Sequence, residues 1–167
     1  ASSMTIHNIM LEECPSLLGL LYGNFLWDRK GEQGANTQPF YVGPFYSFYK
    51  KVLTCRPGVP EYIYSAQSKT GIYLTPAERD AINYFMNLAE SSKIHISMEF
   101  KPGDIQFVNN GVLLHSRTEF EDDELFENRR HLLRQWLNVR EGVIVDDDAF
   151  PFRLGIPKEV SVSLTHR

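Results

Sequence analysis

The sequence predicts one mainly-β domain with helices packed on its outside. Three observations carry the prediction. Residues 39–55 are dense in aromatic and β-branched residues, the composition of pleated, half-buried strands. Residues 94–137 hold several short apolar runs with the two-residue period of strands. Between them, Thr75-Pro76-Ala77-Glu78 is a capping box with proline at the first helical position.

Length and composition set the frame. At 167 residues the chain is one domain by length and can bury a substantial core. Its apolar content of 43% and aromatic content of 13% suit a folded, aromatic-rich domain. A net charge of −4 argues against a nucleic-acid surface, which needs a basic excess. No apolar run approaches the ~20 residues that span a bilayer, and no basic-then-apolar signal opens the sequence. Cys14 and Cys55 are isolated thiols outside any CxxC pattern, as expected of reduced cysteines in a cytoplasmic protein.

In chain order, Ser2-Ser3 offer a cap for a helix carrying Met4, Ile6, Ile9, Met10 and Leu11, and Pro15 opens a second short helix with Leu17, Leu18, Leu20 and Leu21. His7 reads as a surface or partly packed helical residue rather than a ligand. Phe25–Asp28 reads as a short strand and 29–39, rich in Gly, Asn and Gln, as a loop. In 39–51 the rings of Phe40, Tyr41, Phe45, Tyr46, Phe48 and Tyr49 read as strand packing, one or two of them lining a pocket. Val52–Cys55 and Tyr62–Tyr64 continue the strand texture around Arg56-Pro57-Gly58. The capped helix runs to about Ser91 with Ile82, Phe85, Met86 and Ala89 on one face. Ile94, Ile96, Met98 and Phe100 alternate as an inward strand face, with His95 solvated, and Lys101–Asp104 forms a turn. Residues 141–167 read as an extended tail, and Asp146–Asp148 as a solvated acidic turn, because a calcium loop's Gly and terminal Glu are absent.

The chemistry concentrates in residues 103–140. Asn110 and His115 lie on the first two apolar runs there, Arg130 and Arg134 on the third. On that third strand Arg130, Leu132, Arg134 and Trp136 share a face. A guanidinium between Leu132 and Trp136 is expected inside, where burial is costly unless an anion meets it. The residues alone thus suggest an interior arginine awaiting a carboxylate, with a histidine on a neighbouring strand.

An Asn five residues before a His, followed by the strand Arg129-Arg130-His131-Leu132-Leu133-Arg134, resembles the TauD/TfdA family of Fe(II)- and 2-oxoglutarate-dependent dioxygenases. The resemblance covers roughly residues 1–140. It departs in the acidic loop 119–128, which lengthens the His-to-Arg spacing as a surface loop tolerates. The fold it implies is a double-stranded β-helix, the cupin-like jelly roll. The activity it implies is oxidation, most often hydroxylation, of a small metabolite by molecular oxygen, with decarboxylation of 2-oxoglutarate to succinate. His115 is then an iron ligand and Arg134 grips the far carboxylate of 2-oxoglutarate through a bidentate pair. Arg130 either assists Arg134, binds an anionic substrate, or pairs with the acids of 121–127. Asn110 is expected to hold the strand turn near the metal.

A facial triad needs two His and one carboxylate, and the chain has no HxD or HxE. His95-Ile96-Ser97 comes nearest and lacks the carboxylate. In the family the HxD lies upstream, and Ala1-Ser2-Ser3 resembles the residues just after the family's upstream Thr. A jelly roll needs about eight strands, and six or seven candidates are present. The expectation is a carboxy-terminal portion carrying half a site, completed by an amino-terminal segment of the same protein. The expected substrate is small, anionic or amino-acid-like. The other reading is a catalytically inactive jelly-roll binding or assembly module that keeps the arginine without iron.

Overall fold

The computed structural model describes residues 1–137 apart from 35, 56–59, 120, 130 and 136. The turn at Arg56-Pro57-Gly58, the residues Arg130 and Trp136, and the tail 141–167 therefore lie outside the described residues.

Helix α1 (Ser3–Glu13) opens on Ser2, whose hydroxyl accepts from the Thr5 N–H, and sends Ile6 and Met10 into the core. Helix α2 (Pro15–Leu20) follows with Pro15 in its first turn. Two antiparallel hairpins come next. Strands β1 (Phe25–Asp28) and β2 (Phe40–Gly43) pair Phe25 with Gly43 and Asp28 with Phe40. Strands β3 (Tyr46–Tyr49) and β4 (Val52–Cys55) pair Tyr46 with Cys55 and Tyr49 with Val52. The second hairpin turns through Lys50 and Lys51, with φ of 48° and 67°. Two consecutive left-handed residues are what a two-residue hairpin with right-handed twist needs. Lysine adopts that geometry at a cost of about 1–2 kcal/mol per residue, which the paired strands on either side offset.

The hairpins and helices meet in one aromatic core. Phe45 is central to it: its ring centroid lies 5.1 Å from Trp27, 5.2 Å from Phe25 and 5.5 Å from Phe85. The Phe45 and Tyr46 N–H groups both donate to the Leu21 carbonyl, and the Trp27 indole donates to Gly43 O at 2.9 Å, so the buried polar atoms of this corner are paired. Helix α4 (Pro76–Glu90) closes the core with Ala81, Ile82 and Phe85, and both bonds of the Thr75/Glu78 capping box are formed.

Residues 62–64 are not a strand. They lie in helix α3 (Pro60–Thr70), whose buried residues Pro60, Ile63, Ala66 and Gln67 follow helical spacing. The aromatic texture of Tyr62 and Tyr64 concealed that period. The same helix brings Ser65 and Lys69 onto Asp28 of β1: Ser65 Oγ and Lys69 Nζ donate to Oδ2 at 2.5 and 2.7 Å, and the Lys30 N–H donates to Oδ1 at 2.9 Å. Asp28 is 1% exposed. Burial alone would raise its pKa, but the bonds from Lys69, Ser65 and Lys30, with the lysine's charge, outweigh it and hold the carboxyl at about 2 against an ordinary 3.8. The folded value is the lower one, so the stabilisation is present above pH 3.8 and is lost as pH falls toward 2. Lys69 is half-exposed, which screens its share. Lys69→Met is expected to cost roughly 1–2 kcal/mol at neutral pH and to flatten the acid dependence of the urea midpoint in that window.

The strand expectations for 94–137 are not met among the described residues. The segment contains no strand there; only Leu113 bridges Ser2. Ile96, expected inward, is 83% exposed, and Met98, Ile105, Phe107, Leu132 and Leu133 are exposed with it. The physical reason is pairing: extended backbone with alternating apolar residues becomes a strand only when a neighbour takes its N–H and C=O groups. The Lys101–Asp104 turn does form, closed by Asp104 N–H to Lys101 O at 3.0 Å with Gly103 at a φ of 95°. No helix among the described residues is long and apolar enough to cross a membrane.

Candidate functional site

The site builds from the turn at Asn109. Its carbonyl accepts from the Val112 and Leu113 N–H groups at 3.1 and 3.0 Å, and its side-chain Oδ1 accepts from Gly111 N–H at 3.0 Å. A Cβ at position 111 would stand 3.3 Å from that Oδ1, so the turn favours glycine by close approach. The side chain that holds the turn is thus Asn109 rather than the expected Asn110, which sits half-buried within it.

From this turn the backbone runs along the start of α1 and the end of β4. The Gly111 carbonyl accepts from Cys55 N–H at 3.1 Å. The Val112 carbonyl accepts from both the Ser3 N–H and the Ser3 Oγ, each at 2.9 Å. Leu114 exchanges two bonds with Ala1: its N–H donates to Ala1 O at 2.9 Å and its carbonyl accepts from the Ala1 nitrogen at 3.0 Å. Tyr46 Oη donates to the Ser3 carbonyl at 2.6 Å, inside the core. Burial pushes the Cys55 thiol up to about 12, even though hydrogen bonding with Ser3 and Tyr46 pulls the other way. Cys55 is therefore a neutral packing residue, and both cysteines are free thiols.

His115 is the next residue. It is exposed, and among the described residues its ring makes no hydrogen bond or ion pair. An imidazole so placed is chemically able to bind a metal. Of the other described histidines, His131 is exposed, and His7 and His95 have partners of their own. His7 Nε2 meets Tyr22 Oη at 2.8 Å and its ring packs edge-on against Tyr46, which agrees with a partly packed helical residue. His95 lies 3.0 Å through Nδ1 from the Glu90 carbonyl at the end of α4, half-buried rather than fully solvated.

Arg134 is exposed and unpaired among the described residues, so the expectation of an interior arginine is not met here. Its neighbours Leu132, Leu133 and Leu137 are exposed too, so among the described residues no apolar wall surrounds the guanidinium. Arg130 lies outside the described residues. Among the acids of the 119–128 loop, Asp123 accepts the Leu125 N–H, and Arg129 donates to the Asp123 and Glu124 carbonyls. No group of three His, Cys, Asp or Glu residues stands close enough to hold a metal among the described residues. One imidazole is one third of a facial triad, so this donor set does not by itself fit Fe(II).

Sequence reading missed the part played by Ser3, Tyr46 and Cys55. Ser3 was read as part of a possible Ser2-Ser3 helix cap, whereas its bonds to Val112 span 109 residues.

Comparison with known proteins places this geometry in context. The model of the family described as "Taurine catabolism dioxygenase TauD, TfdA family" matches residues 1–136. The chain is 35% identical to FR-33289 synthase of Streptomyces rubellomurinus over 144 residues, covering 85% of this chain and 42% of that protein. It is 29% identical to the taurine hydroxylase-like protein SAT17 of Stachybotrys chartarum over 171 aligned positions, covering 99% of this chain and 41% of that protein. The chain thus spans about two fifths of the length of these curated relatives.

Proposed function

The chain belongs to the TauD/TfdA family, and from that premise we propose that it is the His- and Arg-bearing half of an Fe(II)- and 2-oxoglutarate-dependent dioxygenase. The observation that carries the reading is the placement of His115, an imidazole without a partner among the described residues, directly after a segment hydrogen-bonded to the core. In such an enzyme the iron and 2-oxoglutarate carry the oxidising chemistry. This chain contributes one imidazole ligand, His115, and a guanidinium for the distal carboxylate of 2-oxoglutarate, Arg134, with Arg130 as the second candidate. The other two ligands come from an HxD on an upstream segment of the same protein. That segment also supplies partner strands for the apolar runs of 94–137 that are unpaired among the described residues, completing the jelly roll. The substrate is a small anionic or amino-acid-like metabolite, most often hydroxylated at the expense of molecular oxygen in the cytoplasm.

The incomplete donor set also supports a second reading, a jelly-roll binding or assembly module without iron. A succinate assay decides between them. A polypeptide joining residues 1–167 to the upstream segment is expected to convert 2-oxoglutarate to succinate with Fe(II) and oxygen. An upstream sequence without HxD, and no turnover, would leave the module.

A further inference from the structure

We propose that Tyr22, paired with His7, is a one-electron oxidation site through which the buried aromatic core passes oxidising equivalents to the surface. It depends neither on iron nor on the role of His115. A phenol that loses an electron becomes strongly acidic, so its oxidation near neutral pH is coupled to loss of its proton. A tyrosine whose hydroxyl already faces a base is therefore oxidised more readily than one without. Tyr22 has that base, because its Oη lies 2.8 Å from His7 Nε2. The other ring nitrogen, Nδ1, faces the acceptor Asn8 Oδ1 at 3.4 Å. That contact assigns the ring hydrogen to Nδ1 and leaves Nε2 to accept from the Tyr22 hydroxyl. Tyr22 is also exposed, so a reductant in solution can reach it.

Ring contacts join the pair to the interior. The fully buried Tyr46 ring lies 5.9 Å from Tyr22 and 5.1 Å from His7, centroid to centroid. Behind it stands Phe85 at 5.9 Å, and the Cys55 thiol shares a hydrogen bond with the Tyr46 side chain. Neither Tyr46 nor Cys55 sheds a proton easily. Tyr46 donates to the Ser3 carbonyl, which is not a base at neutral pH. Burial holds the Cys55 thiol up at about 12. An electron vacancy arising at either group therefore moves outward to Tyr22, where a base takes the proton. Tyr84 is the rival, since its hydroxyl donates to the Glu13 carboxylate. A carboxylate is a weaker base than an imidazole, which favours Tyr22.

A one-electron oxidant, of the class of a photo-oxidised metal polypyridyl complex or a carbonate radical, takes one electron from the phenol. The phenolic proton moves from Tyr22 Oη to His7 Nε2, leaving a neutral tyrosyl radical beside an imidazolium. A thiolate in solution then returns the electron and becomes a thiyl radical, while His7 returns the proton.

Flash photolysis of residues 1–167 without iron tests the site, with tris(bipyridine)ruthenium as oxidant and a cobalt(III) ammine as electron acceptor. Transient absorption gives the rate of tyrosyl formation, and electron paramagnetic resonance of freeze-trapped samples gives its yield. Tyr22→Phe is expected to remove most of the tyrosyl signal. It should also shift the oxidation products, mapped by peptide mass spectrometry, onto Tyr46 and Cys55. His7→Gln keeps a hydrogen-bonding side chain without a base and is expected to slow radical formation by about tenfold or more. Tyr84→Phe should change neither rate nor yield. Near-ultraviolet circular dichroism matching the parent's shows that each variant keeps its aromatic core. No tyrosyl signal in the parent, a signal that survives Tyr22→Phe, a rate that His7→Gln leaves unchanged, or a signal that Tyr84→Phe removes would each overturn the proposal.

Discussion

His115→Ala is expected to abolish Fe(II) binding and succinate formation in the polypeptide that carries both halves of the site. Even residues that only orient a metal ligand are worth 10–100-fold in affinity, roughly 1.4–2.7 kcal/mol. Removing a ligand outright exceeds that, so the Kd should rise by more than about 100-fold. The fold should not notice. His115 is exposed and makes no hydrogen bond among the described residues, and surface substitutions of that kind stay within about 0.5 kcal/mol of the parent stability. The urea midpoint of the variant therefore serves as the control. A variant that loses iron and keeps its midpoint has lost a ligand; one that loses both has lost its structure.

Arg134→Ala is expected to weaken 2-oxoglutarate binding in the same polypeptide by roughly 2–4 kcal/mol, with Fe(II) affinity nearly untouched. The size of this effect depends on burial that the described residues do not provide. Arg134 is exposed here, and an exposed ion pair is worth only about 0–1 kcal/mol. In the chain alone, the same substitution should change the affinity for 2-oxoglutarate by less than about 1 kcal/mol. The difference between the two backgrounds measures how far the upstream segment closes over the guanidinium. Unchanged 2-oxoglutarate binding in the longer polypeptide would remove Arg134 from the site and make Arg130 the next candidate.

Legibility in the sequence followed the range of the forces involved. Helix α4 was readable because its signals are local: Thr75, Pro76 and Glu78 set the start, and Ile82 and Phe85 set the buried face. The strands 25–28 and 52–55 were readable for the same reason. Helix α3 was not. Tyr62, Ile63 and Tyr64 have strand composition, and what overrides it is tertiary: Ser65 and Lys69, one turn apart, both reach the buried carboxylate of Asp28. The runs in 94–137 failed for the complementary reason. Their alternation is real, but a strand is a property of two segments, and pairing is not written into either one.

The candidate site divides along the same line. The motif residues Asn110, His115 and Arg134 were visible as a pattern, and the family model matches residues 1–136. Their surroundings were not visible. Nothing local announces that Ser3 bonds Val112, or that Asn109 rather than Asn110 holds the turn. The burial expected of Arg134 rested on the rule that a cation flanked by Leu132 and Trp136 points inward. That rule presumes a wall on the other side, and Leu132 and Leu133 are themselves exposed.

An anaerobic calorimetric titration of Fe(II) into residues 1–167 alone tests the central claim, that this chain holds one third of the iron's protein ligands. With His115 competing against water unaided, binding is expected to be weak or undetectable, and a parallel assay with 2-oxoglutarate and oxygen should yield no succinate. Tight, stoichiometric binding of Fe(II) by the isolated chain would mean that it contains a complete ligand set, and the half-site account would be wrong.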